Sequence, residues 1–575
     1  MAQDQDPDPI VVAGFSSRSR SARALSLVLV ISLLAGSLVF VLMVQQDREP
    51  RWDEASHGLQ AVLVAHDIRE LDLPALFFDL YRQVYWPPLH SLIVAIAFNL
   101  SGTSLQTVRG VSVIAFVLIA PVLFLVARSL EPRHPTVAGG MAAGLALTSP
   151  AFITYGGMAM LEALGALAIA LTALVYVLLE RSDASPRAYG LLGACVVLTY
   201  LSKTNYGVLL LLTLVLTRLS EAGFRPRALL TRRNLFTVLP VAIFALLWFA
   251  YPPKAVSTWT ALVNKPWGGE EARGLGGLLF YPRAFVDLSG SSWMAILLWI
   301  GLFAAWWGRR APGVAFLAIL AVIQFAIGEF HHTKVVRHIV PMFPAMFALA
   351  GVTAARLWSW AEAGGRSARL ATAALLPGLL ALQLATLARR DWYPIVFPDG
   401  TEARRYLSAL AVDTPPVLIL GTRGSLPEPP VIDWHLVVED RRLAVTASGA
   451  AMDPRQESDL ARRVAVLPLP EGLRATAQRV LSRYEATPGS RSLHLGERYH
   501  PESPARFAAI LQRTVEGRTP CAIVALIGTS DTTRYTASFL AAAVEGVDFR
   551  EAGVREFPKA YTRVHVYRPE TGRCR

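Results

Sequence analysis

Lysine is almost missing from this 575-residue chain: five residues (Lys203, Lys254, Lys265, Lys334 and Lys559) stand against fifty arginines. Cysteine is scarcer still, at three, and no Cys/His spacing of the metal-binding kind occurs, so a disulfide scaffold and a zinc-finger domain are both excluded. No GxGxxG fingerprint or Walker loop is present, which leaves no nucleotide-binding signature, and no internal repeat is visible. After residue 390 there are no more apolar runs of spanning length. Acidic residues are outnumbered, giving a net charge of +12, yet the arginines do not form a basic face with aromatic or polar readers. They fall mostly in short loops between apolar runs, where positive charge sets membrane topology, so nucleic acid is not an expected partner.

What is abundant is hydrocarbon. Hydrophobic residues make up 53% and the mean hydropathy is +0.41, too apolar for a soluble protein of this size. Spanning-length runs recur from residue 24 to 388, each near the ~20 residues that a membrane helix needs. The polar stretch 1–23, ending in RSRSARA, reads as a cytoplasmic tail. The run 24–44 is too long for a signal-peptide core and reads as an uncleaved first helix. Further spans are expected at about 106–127, 137–152, 162–180, 188–202, 206–219, 235–251, 291–307, 312–330, 338–358 and 368–388. The segment 87–102, which opens with Pro-Pro, is assigned to the interface. With this count, Arg128, Arg133, Arg181, Arg187, Arg218, Arg225, Arg227, Arg232, Arg233, Arg309, Arg310 and Arg366 all gather on the cytoplasmic side. Acids and most lysines gather on the outer side.

The expected fold is therefore an α-helical polytopic membrane protein with about eleven transmembrane helices over 24–390. A soluble α/β domain over 391–575 follows, placed outside the cytoplasm. In that domain 417–421, 463–470, 521–528 and 563–569 read as strands, and 401–412, 475–486 and 502–515 as helices. Cys195 lies in an apolar run and reads as a small core residue. Cys521 and Cys574 either pair or stay free thiols.

Chemistry-bearing side chains gather at the outer ends of these helices. The loop RWDEASHGLQ (51–60) carries Asp53, Glu54 and His57 close to the first helix, and FFDLYRQVYWPPLH (77–90) follows. Glu162 opens a helix, and Lys203 sits at a helix end in LSKTNYG. A long outer loop is expected at about 252–290. HHTKVVRH packs His331, His332, Lys334, Arg337 and His338 into eight residues. Each has a plain alternative: Asp53 and Glu54 as solvated acids, Glu162 as a helix-dipole partner, Lys203 as an interface lysine, the basic cluster as a lipid-headgroup contact. Together, acids and cations on one membrane face suit a lipid phosphate held by cations opposite a carboxylate that handles a hydroxyl.

The acidic pair after the first helix, the aromatic stretch ending in YWPPL, GMAMLEALGALAIALTALVYVL, LTYLSKTNYGVLLL and KVVRHIVPMFPAMFALAG resemble, in that order, the polyprenol-phosphate-sugar-dependent GT-C glycosyltransferases. The nearest in pattern are protein O-mannosyltransferases and lipid A aminoarabinose or galacturonosyl transferases. The resemblance covers about 25–360 and leaves out the soluble domain. It departs at Lys-Thr-Asn-Tyr-Gly, where Lys-Gly is usual, and at Arg-His, where Arg-Tyr is common. It implies transfer of a sugar from a polyprenyl-phosphate donor to a hydroxyl of a lipid, glycan or protein acceptor, with inversion, at the outer face of a bacterial inner membrane. It implies Asp53 as general base, and Lys203 and Arg337 as stabilisers of the leaving phosphate. Glu54, His57 and Glu162 would orient sugar or acceptor, with Tyr85 in the aromatic stretch. Lys334, His331, His332 and His338 would add phosphate contacts. A divalent cation is left open, with Asp53, Glu54 and Glu162 as its ligands if they converge. The alternatives are a secondary transporter, disfavoured by uncharged helix interiors and the lack of repeats, and a non-catalytic membrane scaffold.

Overall fold

A computed structural model describes residues 9–45, 50–81, 83, 86–182, 184–250, 254, 274–307, 313–330, 334–389, 400–413, 417–421, 431, 434, 491–494, 503–515, 520–528 and 537–570. They form two compact units, one drawn from 1–46, 82–90 and 109–392, the other from 47–81, 91–108 and 393–575.

The first unit is all helical. Helix α1 (Pro9–Val39) continues through a π-helical turn to Val44. Then come α5 (Leu105–Leu130, from residue 109 onward in this unit), α6 (Pro135–Leu147), α7 (Pro150–Gly156), α8 (Leu161–Arg181), α9 (Tyr189–Ser202), α10 (Thr204–Glu221) and α11 (Arg232–Phe249). They are followed by α12 (Gly274–Leu278), α13 (Phe280–Ser289), α14 (Ser292–Trp307), α15 (Val314–Phe330), α16 (Phe343–Ala363) and α17 (Arg366–Ala388). Within the described residues every apolar run read as a span is largely helical, with 137–152 broken at Thr148–Ser149. Among the described residues, six helices are long and apolar enough to cross a membrane alone, and two bent pairs raise this to eight. The bends are 55° between α6 and α7, and 99° between α12–α13 and α14. Helix α9, with 14 residues, is shorter than the roughly 30 Å hydrocarbon layer requires. The part of the expected loop 252–290 that lies over 274–289 is corrected by α12 and α13, whose glycine-rich start had suggested an irregular chain; 255–273 lies outside the described residues.

In lipid, burial gives helices little reason to associate, so close packing carries the fold. At Gly351 of α16, a Cβ would lie 2.3 Å from the Ala138 carbonyl oxygen and 3.1 Å from Ala142 Cβ on α6. Only a residue without a side chain lets these two helices meet there.

The second unit begins with α2 (Trp52–Arg69), α3 (Leu73–Tyr81) and most of α4 (Leu89–Ser101). The expected outer loop over 51–60 is thus a helix start. Glu54 accepts a hydrogen bond from the Arg51 N–H at 3.0 Å, satisfying a donor that the first turn leaves open. At the other end, Arg69 Nε donates to Asn99 Oδ1 at 3.0 Å, and Asn99 Nδ2 donates to the Ala65 carbonyl at 3.1 Å. Gly58 lies against Trp434, where a Cβ would be 2.5 Å from the indole ring, so α2 packs on the C-terminal part of the unit.

That part is an α/β layer structure. A five-stranded sheet runs in the order β2 (Arg491–His494), β1 (Val417–Gly421), β3 (Ala522–Gly528), β5 (Thr562–Pro569), β4 (Phe549–Phe557). β1 is parallel to β2 and β3, and β5 is antiparallel to β3 and β4. All of β3 is buried, as expected of a continuous apolar strand with helices on both faces. Ile523, Ala525 and Ile527 face α19 (Pro504–Val515) and α20 (Ala537–Glu545). Ala522, Val524 and Leu526 face α18 (Thr401–Asp413). The expected strand 463–470 and helix 475–486 lie outside the described residues. Cys521 is disulfide-bonded; Cys195 is free.

Candidate functional site

In the first unit, three elements bring charge to one point. Glu162 stands in the first turn of α8, where the helix dipole favours a carboxylate. Its side chain is 1% exposed, too buried for a lone carboxylate without partners. Lys203 provides one. It occupies the corner between α9 and α10 in extended conformation (φ −159°, ψ 116°), and its Nζ donates to Glu162 Oε1. Arg337 provides the other from the 3₁₀ turn Val336–Met342, its Nε 3.7 Å from the same oxygen. The Lys203 side chain keeps 14% and that of Arg337 31% of its surface open. One buried carboxylate therefore holds two cations, and among the described residues its Oε2 has no hydrogen-bond partner.

The local sequence explains the corner. The backbone N–H groups of Tyr206 and Gly207 both point to the Lys203 carbonyl, at 3.0 and 3.3 Å. A Cβ on Gly207 would lie 2.4 Å from Tyr200 Cβ and 2.6 Å from its Cα, so glycine lets α10 fold back against α9. Tyr206 then places its ring 4.9 Å from Lys203 Nζ. The ring fits over Gly165 of α8, where a Cβ would be 2.6 Å away.

The basic segment 334–338 divides. Lys334 turns to the end of α15, donating to the Glu329 carbonyl at 2.6 Å and to Glu329 Oε2 at 3.2 Å, where open carbonyls favour a cation. His338 Nδ1 lies 3.3 Å from the Tyr281 hydroxyl, which also accepts from the Val335 N–H at 3.3 Å. Tyr281 of α13 thus pins the segment that carries Arg337. Tyr206, Tyr281 and Glu329 were not singled out from the sequence; Tyr206 had a signal in its place within LSKTNYG, the other two had none. His331, His332 and Tyr85 lie outside the described residues.

In the second unit, Asp53 is half-buried on the first turn of α2, while Glu54 and His57 are 2% and 3% exposed. Glu54 is engaged as the helix cap, so it is not the solvated loop acid of the plain alternative. Among the described residues no group of three His, Cys, Asp or Glu side chains is placed to hold a metal ion.

Residues 86–254 match the family model described as dolichyl-phosphate-mannose-protein mannosyltransferase. The chain is similar in structure to ArnT from Cupriavidus metallidurans bound to undecaprenyl phosphate, at TM-score 0.50 and 16% identity, covering 94% of this chain and 97% of that one. ArnT in the apo state gives TM-score 0.50 at 17% identity, covering 94% and 98%. The archaeal oligosaccharyltransferase AglB from Archaeoglobus fulgidus, in complex with an inhibitory peptide and a dolichol-phosphate, follows at TM-score 0.43 and 12% identity, covering 88% and 69%. A comparison with curated proteins gives no match. The fold of this multi-pass membrane chain is thus similar to that of the ArnT structures, and its segment 86–254 is similar to the dolichyl-phosphate-mannose-protein mannosyltransferase family.

Proposed function

We propose that the chain is a glycosyltransferase that moves a sugar from a polyprenyl-phosphate donor to an acceptor hydroxyl, with inversion, at the outer face of a bacterial inner membrane. The observation that carries this reading is the convergence of Lys203 and Arg337 on buried Glu162. Two partly open cations held rigid by a carboxylate are suited to a phosphate that gains charge as the sugar leaves, because donors fixed beforehand need no reorganisation during the reaction. The bound undecaprenyl phosphate of the similar ArnT structure and the family description over 86–254 support a lipid-phosphate donor.

Asp53 is the general base, accepting the proton of the attacking hydroxyl, and the hydroxyl oxygen displaces the phosphate from the anomeric carbon. Glu162 holds Lys203 and Arg337 in register rather than handling a proton. Glu54 supports Asp53 by capping the turn on which it stands. The acceptor is a lipid, glycan or protein hydroxyl. The arginine-rich expected inner loops and the disulfide at Cys521 support an outward second unit, since disulfides persist in oxidising compartments.

The test is reconstitution of the purified chain in proteoliposomes with radiolabelled sugar on either polyprenyl phosphate or a nucleotide. Label passing to acceptor from the lipid carrier only is the expected result. Transfer from the nucleotide sugar alone would refute the donor assignment.

A further inference from the structure

The helices that build the Glu162 cluster carry a second polar cluster at their other ends. Glu162 and Glu180 stand eighteen residues apart on α8, about 27 Å at 1.5 Å per residue. That is close to the roughly 30 Å of hydrocarbon in a bilayer. α9 starts at Tyr189 and ends at Lys203; α10 leaves Lys203 and ends at Arg218 and Glu221. At this far end Arg218 is tied to Glu180, and to Glu221 at 2.9 Å, while the Tyr189 hydroxyl donates to Glu180 at 2.9 Å. These bonds brace one wall of a cleft of about 520 Å³.

The opposite wall is the start of α11. Thr231, Arg232, Arg233 and Asn234 line the cleft with Arg218 and Glu221. The Arg218 charge is compensated by its two carboxylates. Among the described residues neither Arg232 nor Arg233 lies within salt-bridge distance of a carboxylate, and Arg233 is attracted at longer range by Glu180. Arg233 instead lies over the Tyr189 ring, 5.5 Å from its centre, which holds its guanidinium in place beside the cleft it lines. Thr231 caps the helix by accepting from the Asn234 N–H at 3.2 Å, and the N–H groups of Arg232 and Arg233 have no intrahelical acceptor.

We infer that this cleft is a phosphate-binding site at the membrane end opposite the Glu162 cluster, fitted to the headgroup of an anionic phospholipid. A phosphate needs several donors on one side of it and a positive field; two arginines and a helix start around a cavity supply both. Arginines that only set topology need no cavity between them. The inference does not depend on the proposed transferase activity.

The experiment measures binding of fluorescently labelled phosphatidylglycerol to the full chain in neutral detergent. Unlabelled phosphatidylglycerol, phosphatidylcholine and inorganic phosphate serve as competitors. The wild type is expected to prefer phosphatidylglycerol to phosphatidylcholine. Arg232→Gln with Arg233→Gln should weaken binding roughly thirtyfold, the combined weight of two basic residues near an anionic surface. Thr231→Asp keeps a good helix cap and suits the dipole, so its unfolding temperature should hold or rise while the new charge repels the phosphate. Arg366→Gln, a change elsewhere, should bind as wild type. Displacement by inorganic phosphate as readily as by lipid would support the site but assign it to a soluble phosphate. Equal binding by the wild type, the double variant and Thr231→Asp would overturn it.

Discussion

At the scale of single residues, the proposed mechanism gives Glu162 and Asp53 different work, and their variants should separate them. Glu162→Gln removes the charge that holds two cations together. Breaking a buried ion pair by removing one partner costs about 3–5 kcal/mol, so this variant should unfold at a lower temperature in detergent and also lose transfer. A wild-type unfolding temperature would show that the cluster is not a structural ion triad. Asp53→Asn keeps size and polarity and should leave unfolding unchanged while lowering the rate by about 10²–10⁴-fold. Transfer within about threefold of wild type, well short of that range, would remove Asp53 from the base role. In the soluble sheet, Tyr567 is 1% exposed, and among the described residues its hydroxyl has no partner. Burial, with smaller contributions from Glu551 and Glu545, pushes its pKa up to about 12. The folded state thus keeps the proton more tightly than the unfolded chain. The stability linked to that proton is intact below about pH 10 and lost between pH 10 and 12, roughly 2–3 kcal/mol in all. Tyr567→Phe should be neutral or stabilising at pH 7 and flatten alkaline unfolding of the sheet; unchanged alkaline sensitivity would contradict this.

At the scale of elements, the corner between α9 and α10 decides where Lys203 stands. Gly207→Val would drive a side chain into Tyr200 Cβ and backbone, none of which is the loose end of a flexible group. The corner should open, with a lower unfolding temperature and reduced transfer. Gly140→Ala on α6 meets nothing within 4 Å and should be neutral, or slightly stabilising by the gain in helix propensity. If both variants behave alike, the close approach at Gly207 does not matter. These elements differ in how far they could be read from the chain. Long apolar runs marked the membrane helices, and VLILG, CAIVALIG and RVHVYRP marked β1, β3 and β5, because a buried strand must be apolar. The edge strand β4, FREAGVREF, escaped: its interior is exposed and charged, and a bulge between Glu551 and Gly553 breaks its alternation. The start of α2 was read as a loop because an acidic pair beside a membrane resembles solvated charge, whereas Glu54 is a helix cap. Glu162, Lys203 and Arg337 were each visible at a helix end. Their meeting was not, since 41 residues separate Lys203 from Glu162 and only the packing of α8, α9 and the 3₁₀ turn closes that gap.

At the scale of the whole molecule, the proposed reaction needs an outward second unit and lipid-linked chemistry. A reporter that is active only outside the cytoplasm, fused after Arg575, should be active; an inactive but expressed fusion would invert the topology. The most direct test of the central claim is sugar transfer from a radiolabelled polyprenyl-phosphate donor by Lys203→Met in proteoliposomes. Methionine keeps an apolar stem against Tyr206 and removes the charge proposed to stabilise the leaving phosphate. Loss of one fixed stabilising donor typically costs about 10²–10³-fold in kcat, and Lys203→Arg should recover part of it. A folded Lys203→Met that transfers sugar at the wild-type rate would contradict the account.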